Sequence, residues 1–76
     1  MPIGYVLINT EPGHVESVLE ALKKIDAVEE AYMVYGVYDV IAKVEADTMD
    51  KLREIIVGHV RRLDKVQSTL TLIEMK

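Results

Sequence analysis

Few side chains in this 76-residue sequence have types and spacing that could do chemistry. Cys is absent, which removes thiolate nucleophiles, thiolate metal ligands and disulfides together. The two histidines, His14 and His59, have no orienting carboxylate beside them in the chain. His14 falls in the first turn of an expected helix, where a solvated imidazole is ordinary. His59 falls late in a second, where a protonated ring suits the negative end of the helix dipole. Asp39 is more informative. It ends the segment Tyr35-Gly36-Val37-Tyr38-Asp39, which joins two runs rich in β-branched residues. Gly36 accepts the positive φ that a tight connection needs. An Asp at the mouth of a strand runs against β-propensity, so it has work to do there. Two readings follow. Asp39 caps the turn through its own carboxylate, or it holds the ammonium of a free amino acid whose carboxylate sits on the loop's N–H groups.

The elements that must position this loop follow from hydrophobic periodicity. Ile3 to Asn9 is an almost continuous apolar run, as expected of a strand covered on both faces. Pro12 fits the first turn of a helix that carries Val15, Val18, Leu19, Leu22 and Ile25 on one stripe. Val28 to Val34 reads as a second strand whose charged start suits a sheet edge. Tyr38 to Glu45 reads as a third. Asp47 is the expected N-cap of a second helix, with Asp50 at N3 and Met49, Leu52, Ile56 and Val60 on its inner face; Gly58 and His59 mark its weakening or end. Val66 to Met75 forms the last strand. The order βαββαβ defines a ferredoxin-like α+β sandwich, an antiparallel sheet with both helices on one face.

Composition sets the remaining limits. Half of the residues are hydrophobic, yet the only aromatics are four Tyr, so Val, Ile, Leu and Ala dominate the apolar content. That is more than a chain this short can bury alone. Helices cover one face of the sheet, and a second copy is the simplest cover for the other, packed about 10 Å away about a two-fold axis. Tyr5 and Tyr32 suit such an interface, and Met33 and Met49 suit irregular gaps in a core or an interface. The formal net charge of −4 repels phosphate backbones and argues against nucleic acid. The one basic cluster, Arg61, Arg62 and Lys65, lies where cations complement a helix C-terminus. No apolar run is long enough to span a bilayer. The start at Met1-Pro2-Ile3 leaves no room for a signal peptide, so a cytoplasmic location is expected.

Taken together, these residues resemble the regulatory, amino-acid-sensing (RAM) domain of the Lrp/AsnC family, the feast/famine regulatory proteins. The resemblance covers essentially the whole chain. Its most specific part is the Gly36-x-Tyr38-Asp39 turn with the apolar strand behind it; the V-x-x-A-Y-x-V run from Val28 and the V-x-S-T-L-T-L-I run from Val66 add to it. Family members typically carry an N-terminal helix-turn-helix. This chain resembles the stand-alone version, with residues 1–76 as one sensing domain and no DNA-binding domain. The resemblance implies a homodimer built through the sheets, dimers assembled into rings such as an octamer, and an amino-acid effector bound between dimers, with no cofactor. Carried onto these residues, Gly36 and Val37 offer N–H groups, Asp39 holds the amine or a neighbouring donor, and Tyr38 shapes the wall. Tyr35 stands where the family often has Thr, and Thr69 and Thr71 contact the effector from a second side. Full-length Lrp/AsnC regulators are the expected larger partners. Two other readings remain: a cofactor-free dimeric α/β-barrel enzyme, and a scaffold that assembles without ligand. The first needs His14 or His59 in a polar cavity, and no phosphate loop, serine elbow or metal-ligand spacing supports it.

Overall fold

Alternate residues of the first strand decide the architecture. In the computed structural model, which describes residues 1–75, β1 (Ile3–Thr10) buries Val6, Ile8 and Thr10 on one side and leaves Tyr5, Leu7 and Asn9 half-covered on the other. The side with a packed core is the side with the helices. α1 (Val15–Lys23) contributes Val18 and Leu22, and α2 (Met49–Ile55) contributes Leu52. The remaining strands are β2 (Val28–Met33), β3 (Val40–Glu45) and β4 (Val66–Ile73), all antiparallel, in the order β2-β3-β1-β4. This is the expected βαββαβ sandwich, with β2 at an edge as its charged start implied.

The second face is open. Register places Tyr5 beside Lys43 and Leu72, and Leu7 between Ile41 and Leu70, with Tyr32 next to Ile41. Tyr32, Leu70 and Leu72 are exposed. The first strand is therefore covered on one face within a single chain, and the apolar excess lies on the other.

Local chemistry moves several boundaries. Pro12 does not open the helix. It occupies the second position of a turn closed by a hydrogen bond from the His14 N–H to the Glu11 carbonyl at 3.1 Å, with Gly13 at φ +82° in the third. α1 starts at Val15, after His14. The cap of α2 is Thr48, not Asp47: its hydroxyl accepts from the Lys51 N–H at 3.1 Å, the N3 position that Asp47 is one residue too early to reach. β2 ends at Met33, β3 begins at Val40 and β4 ends at Ile73, each strand shorter than its hydrophobic run. Met33 and Met49 are exposed, not core residues of the single chain.

Gly58 and His59 do not end the second helix. Ile56–Val60 continues it as a widened π turn in which the Arg61 N–H donates to the Ile56 carbonyl, five residues back, at 2.9 Å. Ile56 and Val60 stay buried while Val57, Gly58 and His59 face outward. Gly4 makes room for this helix: a Cβ there would stand 3.1 Å from Ile56 Cδ1 and 3.4 Å from Ile73 Cδ1.

Candidate functional site

The β2–β3 connection is built around a mismatch in strand length. β1 pairs with β3 only as far as Ile8 opposite Val40, yet it runs on to Thr10. The Thr10 N–H is thus left without a backbone acceptor on that side. Asp39 supplies one: its Oδ2 accepts from the Thr10 N–H at 2.9 Å and lies 3.3 Å from the Thr10 hydroxyl. The Asp39 N–H donates to the Ile8 carbonyl and the Val34 N–H donates to the Asp39 carbonyl, each at 2.9 Å. Four bonds therefore anchor Asp39, and Thr10 is buried and satisfied. The carboxylate thus bridges to Thr10 of β1 and makes no bond to the backbone of its own loop, so the turn-cap reading of Asp39 gives way to a tie between strands. Both side-chain bonds use Oδ2, and among the described residues Oδ1 has no partner.

Beyond this anchor the loop stands free. Tyr35 and Val37 are almost wholly exposed, and Tyr38 is half-buried. Gly36 takes φ +154°, a conformation that a side chain disfavours even though nothing lies within 4 Å of its Cβ position. Among the described residues neither the Gly36 nor the Val37 N–H donates a hydrogen bond. Asp39 and Tyr35 share a shallow groove with Val15, Met33 and Val34.

Thr69 and Thr71 lie elsewhere. On the helix-facing side of β4 they pair with Ile8 and Val6, which puts β1 between them and β3. Thr71 lines a separate cleft of about 390 Å³ with Met49, Arg53, Ile56, Val57, Arg61 and Ile73. One chain therefore does not bring Thr71 and the Asp39 loop into a common pocket. Neither imidazole is bonded to a carboxylate among the described residues, and no cluster of metal-ligating side chains occurs among them. The Thr71 cleft is the feature that sequence reading missed. Met49, Arg53, Val57 and Arg61 recur every four residues, so their common stripe was legible; that Thr71 and Ile73 of β4 line the same cleft was not.

Residues 3–76 match the Lrp/AsnC ligand binding domain, and the chain belongs to that family. It is 35% identical over 60 residues to the Escherichia coli K12 regulatory protein AsnC, covering 79% of this chain and 40% of AsnC. The chain thus spans about two fifths of the length of the curated relatives it matches first. Crystal structures of two chains of similar size superimpose over nearly all of it. FFRP-DM1 gives a TM-score of 0.94 at 39% identity, covering 99% of this chain and 100% of that one. A hypothetical protein, PHS023 from Pyrococcus horikoshii, gives 0.93 at 38% identity, covering 100% and 92%. The family is a ligand-binding domain and AsnC is a regulatory protein, not an enzyme, which sets aside the α/β-barrel enzyme reading.

Proposed function

We propose that this chain is an effector-binding module of transcription regulation. It binds a small free amino acid between dimers and couples that binding to assembly. The observation that carries the reading is the loop itself: the unpartnered Gly36 and Val37 N–H groups stand beside a carboxylate that keeps Oδ1 uncommitted. In this arrangement the N–H groups take the effector's carboxylate and Asp39 its ammonium. Tyr38 forms the wall, and Tyr35 closes over it. Thr69 and Thr71 of a neighbouring dimer supply the second side, which agrees with their separation from the loop within one chain. A regulator from Neisseria meningitidis, NMB0573, has been solved as an L-Met complex; at 10% identity it shares the fold.

The open sheet face supplies the homodimer, with Tyr5, Leu7, Ile41, Leu70 and Leu72 covered by their counterparts. Dimers close into a ring such as an octamer, and full-length Lrp/AsnC regulators are the larger partners. Among the described residues no helix is long and apolar enough to cross a membrane, and the module works in the cytoplasm.

A thermal-shift screen against the twenty amino acids, paired with sedimentation of the same samples, tests this. A ligand at a hundred times its dissociation constant adds about 2.7 kcal/mol of stability. The expected result is a shift with one or a few amino acids, a change in oligomer size with the same ones, and loss of both in Asp39→Asn. Asn keeps the acceptor for Thr10 and removes only the charge. A flat screen overturns the sensor reading in favour of the ligand-independent scaffold.

A further inference from the structure

The Thr71 cleft carries a recognition chemistry different from that of the loop. Its lining is apolar at Met49, Ile56, Val57 and Ile73, and among the described residues its only charged members are Arg53 and Arg61. Among the described residues no carboxylate belongs to the lining. In a chain of net charge −4 this is a local reversal of sign. The cleft's volume of about 390 Å³ lies in the lower part of the range of small-ligand pockets, ~300–1,000 Å³.

Both guanidinium groups are available. Arg53 has one ion pair, to Asp50 at 3.8 Å, and both partners are largely exposed, so the pair is weak and easily exchanged. Arg61 has no ion pair among the described residues, and its backbone N–H is pinned in the bond that closes the π turn. The Thr71 hydroxyl is half-buried and makes no hydrogen bond among the described residues. Arg61 closes the π turn and lines the cleft on the stripe of Met49, Arg53 and Val57.

We infer that this cleft binds a small apolar monocarboxylate that bears no ammonium group. The guanidinium groups and Thr71 hold the carboxylate, and the apolar floor takes a branched hydrocarbon body. An ammonium would face two cations here, and among the described residues no carboxylate of the lining receives it. Because Thr71 belongs to both sites, the inference meets the effector reading at that residue. It does not depend on Asp39.

Titration calorimetry on the full chain tests it with 4-methylpentanoate, its neutral isostere 4-methylpentanamide, and leucine. The expected result is saturable binding of the acid, with the amide weaker by about ten-fold or more. Arg61→Gln and Arg53→Gln should each weaken the acid about ten-fold. Val57→Asp, a change at an exposed position, should abolish binding while the melting curve stays cooperative. No binding of the acid overturns the inference, as does an amide that binds equally or an Arg61→Gln variant that binds like the parent. Leucine binding without the acid sinks this site and leaves the effector proposal standing. Binding of the acid alone, with no amino acid effective at the loop, does the reverse.

Discussion

Asp39 joins two strands through one oxygen, and its replacement separates structural from ligand-binding roles. Asp39→Ala leaves the buried Thr10 N–H unpaired and should cost about 1–3 kcal/mol, read as a lower urea midpoint. Asp39→Asn should recover most of that loss, because an amide oxygen still accepts from Thr10. Equal destabilisation by both variants would show that the charge, not the acceptor, holds the strand. A pair of carboxylates, Glu29 and Glu45, sits across β2 and β3. The strand pairing slips between Val28 and Glu30, which leaves Glu30 opposite Lys43, with an ion pair of 3.9 Å. The Glu29 carboxyl is raised above its ordinary range by a hydrogen bond shared with Glu45, and further by the Glu45 charge. A raised carboxyl favours the folded state when protonated. That contribution is full below the ordinary carboxylate range and fades as pH rises through the shifted value. Glu29→Gln should therefore raise the urea midpoint at pH 7, and the gain should shrink towards pH 4. A gain independent of pH would mean that the two carboxylates do not share a proton.

Secondary structure was legible to the extent that each element's own residues set its limits. The stripe from Val15 to Leu22 located α1, and the run from Ile3 located β1. The errors fell where a bond reaches across the ends. Asp47 and Thr48 are equally good caps by type, and only the path of the chain lets Thr48 reach the Lys51 N–H. Pro12-Gly13 satisfies a helix start and a β-turn alike, and the Glu11–His14 bond chose the turn. The Tyr35–Asp39 loop was legible from its Gly and its misplaced Asp, whereas the Arg61 cleft depends on how the second helix and its π turn lie against β4, which no periodicity within one element announces. Gly4 exposes the packing behind that turn. Its missing Cβ leaves 3.1 Å to Ile56 Cδ1, and Val would add two methyl groups beyond that point. Gly4→Val should destabilise by about 1–3 kcal/mol through overpacking and reduce the space between Ile56 and Ile73. Denaturation by urea, with a methyl-resolved spectrum of Ile56 and Ile73, would check both. An unchanged midpoint would mean that the helix shifts freely over the sheet.

At the scale of the whole molecule the sandwich is one-sided. Its accessible surface of 5103 Å² exceeds the roughly 4,700 Å² expected of a compact monomer of this mass. Exposed Tyr32, Leu70 and Leu72 beside half-covered Tyr5, Leu7 and Ile41 mark where a partner is expected. Leu70→Glu should hold the chain as a monomer in sedimentation and lower its melting temperature, whereas Ser68→Glu, towards the end of the same strand, should do less. A Leu70→Glu protein that sediments like the parent would place the interface elsewhere. The open face also gives the proposed dimer a property that no single-chain measurement reveals. Folding and pairing share one free energy, so the melting temperature rises with protein concentration by mass action. A dilute cell lowers the share of intact dimers before any effector arrives. A chain that forms the proposed dimer and binds the proposed effector would register its own abundance as well as that of its ligand, and the two signals would act on one equilibrium.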